Sequence, residues 1–503
     1  MKNEEFATAL KIYFLGVALL LSGCSLYQPY EASQTASVGL GSQSQTCPLH
    51  GSSSSSAPSG SSVPCPVCGD SVAAAISPLT SHLSPLGWRQ LFTDPLLQQL
   101  IERAIQNNTD LQQAQLTIEQ AQNDLATARL SDLPTLSFEP SASLTRFNST
   151  TTRSYAVPLT ASWQLNIFGQ AKTRKRQAKA RKQMLEDYKQ AVQASLAANV
   201  AATYYHLVML DRELQILQET QVVWEKSLES MRVLYEAGLY MSPAVYQMEA
   251  SLASVQSGIV EVQTTLQTTE SALCLLLSEH PHPIERSPYG TFVMPSLAPS
   301  VVGGFPANTS LSPSEMAIPL NRLSARPDVR QAERNMEIAF YDVQQARQSF
   351  YPNITLNGSL GWSNGDDLVN PAKFLSQAVA SLTQPLFAQG QLKARYKNAK
   401  IDQEKARLQF VQTLLNAGNE VYCQLRICKK TEQKATYLSS IVKSLSEAYI
   451  GTRELMNNGT NTYLEVLKAQ EDLLTAQLRE VENHNDGVQA LISLYVALGG
   501  EVK

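Results

Sequence analysis

This chain carries one unit twice, and any fold it adopts must hold two copies of that unit. "TDLQQAQLTIEQAQNDLATARLSDLPTLSF" aligns with "PDVRQAERNMEIAFYDVQQARQSFYPNITL": Asp110 matches Asp328, Ala128 and Arg129 match Ala346 and Arg347, and Pro134 matches Pro352, all at an offset of 218. "IFGQ" at 167–170 then matches "LFAQ" at 386–389, offset 219, and "RVLYEAG" ending at Gly238 matches "RELMNNG" ending at Gly459, offset 221. A register that drifts this little over more than a hundred residues marks a duplication. The repeats are set at 85–280 and 326–499, joined by a Pro/Ser/Gly-rich connector at 281–325.

Each repeat has the same order: a helix, two strand-like segments, a very long helix, a glycine break and another helix. In "YAVPLTASWQLNI", Tyr155, Val157, Leu159, Ala161, Trp163, Leu165 and Ile167 alternate with small or polar residues. "LSFEPSASL" and "NITLNGSLGW" repeat the period of two, and "LSQAVASLTQPLF" is the weakest of the four. Such alternation fits a soluble sheet with one wet face, and it equally fits strands that cross a membrane. The segments from about Ala171 to Ala237 and from Gly390 to Met456 contain no proline. As helices they would each be roughly 100 Å long, which requires coiled-coil or superhelical packing.

No run of eighteen or more apolar residues follows the N-terminal segment, so a membrane crossing would have to use strands. Four strands cannot close a barrel, and lipid tolerates no open sheet edge. Several copies would have to share one: two give eight strands, three give twelve.

Charged residues are only 17% of the chain and the net charge is −4, which gives no basic excess for nucleic acid. The start reads as an export signal, with Lys2 and Lys11 around an apolar "IYFLGVALLL". It ends in "LLSGC", which resembles the lipobox of bacterial lipoproteins. That resemblance implies a signal peptide at 1–23, an acylated Cys24 and, since Ser25 rather than aspartate follows, an outer-membrane destination. Residues 24–84 form a Ser/Cys-rich linker.

The order of elements, with the lipobox in front, resembles the TolC-type outer-membrane efflux channels, in the lipoprotein branch that serves resistance-nodulation-division pumps. The resemblance covers about residues 85 to 500. It implies a mostly α fold with a membrane β-barrel: a homotrimer pooling four strands per chain into twelve, continued by a periplasmic α-helical barrel. It also implies a periplasmic adaptor and an inner-membrane pump as partners, outer-membrane lipid as surroundings, and no enzyme activity. Docking tips would fall at Arg232, Leu234 and Gly238 and at Arg453, Leu455 and Gly459. Glu465, in "TYLEVLKAQ", stands where such channels narrow their periplasmic entrance with acidic residues. A surface Glu465–Lys468 ion pair is the competing reading. Within the same class a type I secretion exit channel is the alternative, and outside it a periplasmic coiled-coil scaffold.

"TCPLHGSSSSSAPSGSSVPCPVCG", residues 46 to 69, places Cys47 and His50 in one knuckle spacing and Cys65 and Cys68 in another, a set that suits Zn or Cu. It is similar to a heavy-metal-binding module, with Leu49 and Asp70 where that module has methionines. A disulfide among the three cysteines, or a remnant without function, are the other readings; the duct itself would need no cofactor. Phosphate-cradling loops, nucleophile elbows and HExxH are absent from the sequence. His280 and His282 read as incidental, lacking a nearby acid or thiol. Cys274, Cys423 and Cys428 read as small packing residues. The basic stretches "KTRKRQAKARK" (172–182) and "KARYKNAK" (393–400) read as solvated helix faces or as contacts for phospholipid head groups.

Overall fold

The computed structural model describes residues 87–147, 150–238, 241–290, 323–364, 373–458 and 462–500. Cys24, Cys47, His50, Cys65, Cys68, Gly459 and most of the connector lie outside them. The described chain runs α1 (Trp88–Leu91), α2 (Pro95–Asn107), α3 (Thr109–Leu130), β1 (Thr135–Phe138), β2 (Ser141–Phe147), β3 (Thr150–Leu165), α4 (Gln170–Glu236) and α5 (Ser242–Leu277). The second repeat follows as α6 (Pro327–Gln348), β4 (Asn353–Ser363), β5 (Lys373–Thr383), α7 (Gln391–Asn457) and α8 (Tyr463–Ala497).

The duplication is preserved in the elements. Helices α3 and α6 have 22 residues each, and α4 and α7 have 67 each. Local chemistry sets their ends. Asp94 caps α2 by accepting from the Leu96 amide at 2.9 Å, with Pro95 in the first turn, and Asn108 Oδ1 accepts from the Asp110 and Leu111 amides to open α3. Gly169 and Gly390 stand immediately before α4 and α7 at φ +77° and +79°, in the left-handed region where a Cβ is unfavourable.

This pair of glycines corrects the alignment of "IFGQ" with "LFAQ", which sets Gly169 against Ala388. Up to the strand ends the offset is 218, and from the two glycines onward it is 221. The whole drift therefore sits in the connection after the strands, at 166–169 in one repeat and 384–390 in the other.

The described residues divide into two compact units. One holds 116–186 and 331–411 and contains the whole sheet. Strand β3 is central, pairing antiparallel with β1 and β2 on one side and with β4 on the other, and β4 pairs with β5. The first expected strand appears as two pieces, β1 and β2. The register through them is continuous, with Phe138 opposite Leu159 and Ser141 opposite Ala156. The gap falls at Glu139 and Pro140, facing Val157 and Pro158, where two prolines remove ladder donors. Spatially there are four strands, as the alternation implied. Strand β3 ends at Leu165, short of Ile167, and starts at Thr150, five residues before the apolar alternation begins.

The other unit holds the described parts of 34–115, 187–330 and 412–503. Its core joins Trp88, Phe92 and Leu97 to Ala197, Ala201 and Tyr204 of α4, Leu273 and Leu277 of α5, and Leu491 and Tyr495 of α8. Ala197, Ala198 and Ala201 of "AVQASLAANVAATYY" are buried in this core. A second cluster packs Trp224, Leu228 and Met231 of α4 against Met248 and Ile259 of α5. Two arginines, Arg286 within the connector and Arg326 just after it, tie the helices together. Arg286 bonds Asp211 on α4 and Glu270 on α5, and Arg326 bonds Glu420 on α7 and the Ala497 carbonyl at the end of α8.

Candidate functional site

Two features could carry a function: the sheet, and the ends of the long helices. The strand registers place Phe138, Leu159 and Leu360 in one row across the sheet, Val157, Trp362 and Phe374 in another, and Leu165, Ile354 and Leu382 in a third. These rows share a face on which Phe138 is 63% exposed, Trp362 55% and Leu382 67%, while Val157, Leu165 and Ile354 are half-buried. Trp362 and Phe374 pack edge to face at 5.6 Å near one end of this face.

The opposite face carries mainly Ser, Thr, Asn and Gln, with Leu375 and Val379 of β5 as apolar exceptions. Ser137 bonds Thr160 at 2.6 Å, Ser143 bonds Ser154 at 2.7 Å, and the Ser162 hydroxyl donates to Asn357 Oδ1 at 2.7 Å. A sheet with an exposed apolar face, a hydroxyl and amide face and two edges unpaired among the described residues is poorly suited to water. Strands β4 and β5 have 11 residues each, enough for a tilted strand to cross a bilayer. Among the described residues, no helix is long and apolar enough to cross a membrane.

At the helix ends, the two predicted tips match in sequence but differ in chemistry. Gly238 follows α4 at φ +75°, where its amide donates to the Tyr235 carbonyl. Arg232 reaches across the hairpin to Glu249 on α5 at 2.6 Å. In the second repeat Arg453 is exposed, and the position matching Glu249 is Gln470, which is buried. Leu234 and Leu455 are both exposed, at 36% and 45%. The sequence match between the two tips gave no hint of this difference, because Glu249 meets Arg232 only once the hairpin has formed.

Glu465 lies exposed in the first turn of α8. The competing ion pair with Lys468 does not form: Lys468 turns the other way and bonds Asp472 at 2.7 Å. Helix geometry permits either partner, at three or four residues. The counterpart of Glu465 in the first repeat is Ala244, so each chain supplies one carboxylate here.

Two further readings need correction. Cys274 and Cys428 are buried, and burial pushes the Cys428 thiol up to about 11, but Cys423 is exposed. His282 does have a thiol and an acid nearby: Cys274 Sγ is 3.6 Å from Nδ1, and Glu279 is 3.7 Å from Nε2. They address opposite nitrogens of one ring and so do not converge on a common ion; among the described residues no cluster suits a metal.

Comparison with known proteins gives the same picture. The family profile described as Outer membrane efflux protein matches residues 100–279 and 319–500. The chain is 27% identical over 419 residues to the cation efflux system protein CusC of Escherichia coli O157:H7, covering 82% of this chain and 88% of CusC. It is 26% identical to the probable outer membrane lipoprotein SilC of Salmonella typhimurium, covering 85% and 90%. It is 25% identical to the toluene efflux pump outer membrane protein TtgI of Pseudomonas putida, covering 82% and 87%. A crystal structure of CusC, concerned with transmembrane channel formation, superposes with a TM-score of 0.73 at 26% identity, covering 84% of this chain and 96% of CusC. With the family profile matching both repeats and a structural match spanning sheet and helices alike, this chain belongs to the outer membrane efflux protein family.

Proposed function

We propose that this protein is the outer-membrane exit duct of a tripartite efflux pump, passively conducting cargo from the periplasm to the outside. The observation that carries the reading is the sheet: an apolar face left open, a polar face opposite it, and two edges unpaired among the described residues. Edges are lost only by closing a barrel, and one chain has too few strands. Three copies, each adding β5 to the β1/β2 edge of the next, supply twelve.

A second feature supports the trimer. Helix α7 exposes Ile401, Leu408 and Leu415 at heptad spacing, 55%, 54% and 42% open, a stripe suited to packing against a neighbouring copy. The helices then form the periplasmic wall, with the tips at Arg232, Leu234 and Gly238 and at Arg453, Leu455 and Gly459 meeting the adaptor and the inner-membrane pump. Three Glu465 carboxylates narrow the entrance and favour cations there. Cys24 carries the lipid anchor. The cargo is metal ions, as the name of CusC indicates for that relative, or small organic compounds, as that of TtgI indicates. Cys47, His50, Cys65 and Cys68 are the ligands proposed for Zn or Cu beside the duct.

Single-channel recording on the purified protein in planar bilayers tests the duct. Discrete conductance steps from a heat-dissociable trimer are expected. A folded trimer that never conducts overturns the reading in favour of a scaffold.

A further inference from the structure

The two basic stretches each bring one arginine to the same cavity. Aligned through Gly169 and Gly390, Arg174 of α4 and Arg395 of α7 become equivalent, each at the fifth position of a 67-residue helix. Both line the same cavity of about 250 Å³, within the unit that holds the sheet. The rest of the lining is uncharged, chiefly Gln164, Gln348, Asn353 and Thr383. Two carboxylates, Asp342 and Asp402, line a neighbouring groove that Arg395 also borders. Neither forms an ion pair with it, and Arg174 has none among the described residues. Gln348, only 2% exposed, is held by its amide donating to the Phe168 carbonyl and Thr173 Oγ1, while its Oε1 has no partner there.

The strand register decides which side this cavity opens on. Asn353 pairs with Thr383, and Gln164 pairs with Thr355, two residues along. All three lining residues therefore belong to the hydroxyl and amide face, with Ser162 and Asn357. If the apolar face meets lipid, this face lines the lumen.

We infer that Arg174 and Arg395 form an anion-binding subsite in the lumen, at the junction of strands and long helices, for a carboxylate- or phosphate-bearing cargo. The inference rests on the duct reading. Two guanidiniums that form no ion pair among the described residues and share a cavity with neutral amides suit a carboxylate or phosphate, which they engage by paired N–H donors. In a trimer six arginines stand at one level of the duct, opposite in sign to the three carboxylates of Glu465. A bare cation would meet its highest electrostatic barrier there, so the subsite points to anionic compounds, or metal carried in an anionic complex.

The test uses the full-length trimer in bilayers of neutral lipid under a KCl gradient, comparing the native protein with R174Q, R395Q and the double variant. Heat-dissociable trimer bands check that each variant assembles. In the double variant the chloride-to-potassium permeability ratio should fall roughly fivefold, as expected for removing charges from a partly hydrated passage, with each single change intermediate. Millimolar inorganic phosphate should cause brief current blocks in the native channel and none in the double variant. Unchanged selectivity and unchanged phosphate block in a conducting double variant overturn the subsite. An effect of the arginines that appears only when anionic lipid is included overturns it too, by assigning them to head groups. Failure of the native trimer to conduct would instead strike the duct reading itself.

Discussion

Gly361 shows how closely single residues are constrained. It lies opposite Pro158, and a Cβ there would collide with the Val157 carbonyl oxygen and sit 2.7 Å from Pro158 Cα. These are backbone atoms and cannot turn aside. Gly361→Ala should destabilise the β3–β4 pairing by about 1–3 kcal/mol, seen as a lower midpoint for thermal loss of the trimer. Tyr204 offers a pH test in the other unit. Its hydroxyl donates to Asp94 at 2.7 Å and accepts from the Ser287 amide at 2.9 Å. Burial, as the largest cause, raises its pKa from 10.0 to about 12. The fold thus favours the neutral phenol. Its contribution is complete below pH 10, and is lost as the pH rises from 10 to about 12 because the unfolded chain ionises first. Tyr204→Phe should flatten that alkaline limb in a denaturant series run at increasing pH, at the cost of stability near neutrality. Neither residue announces itself in the sequence: a glycine in a strand and a tyrosine in a helix acquire these roles only from what faces them.

Among the elements, the long helices and the alternating strands were legible because their signals are local. Absence of proline over some sixty residues and period-two apolarity need no knowledge of the third dimension. The pairing of Thr145–Phe147 with Thr150–Thr152 was not legible, since it runs through backbone donors and carries no apolar alternation to mark it. The equivalence of Arg174 and Arg395 was in the sequence as well: Gly169-Gln170-x-Lys172-x-Arg174 runs parallel to Gly390-Gln391-x-Lys393-x-Arg395, and the two left-handed glycines favour that register over the one through "IFGQ" and "LFAQ", which sets Arg174 against Lys393. The two helix breaks match in sequence, but the chemistry around them depends on the partner helix. Because Glu249 neutralises Arg232 and Gln470 leaves Arg453 without that partner, the two arginines should respond unequally to loss. Arg453→Ala should weaken binding of an acidic adaptor surface more than Arg232→Ala, by roughly the 1–3 kcal/mol of a charge-assisted hydrogen bond, measurable by surface plasmon resonance with the adaptor immobilised. Equal losses would show that the cross-hairpin bond does not shape recognition.

For the whole molecule, association follows from surfaces that a single chain cannot cover. Leu408 sits mid-stripe on α7 and is 54% exposed. Leu408→Asp would force an unpaired carboxylate into the contact between copies, a cost of several kcal/mol per chain. Sedimentation in detergent should then report monomer where the native protein sediments as trimer. The two sheet edges add a consequence in genetic terms. In the proposed ring β1/β2 of one copy meets β5 of the next, so the contact is head to tail and each chain has one donor edge and one acceptor edge. A chain with a ruined β5 can still cap a healthy neighbour with its intact edge, yet the ring can never close around it. With both alleles expressed equally and mixing at random, only about one ring in eight escapes such a chain. Damage confined to one edge strand should therefore behave as a dominant-negative poison, whereas a null allele of the same gene would be recessive.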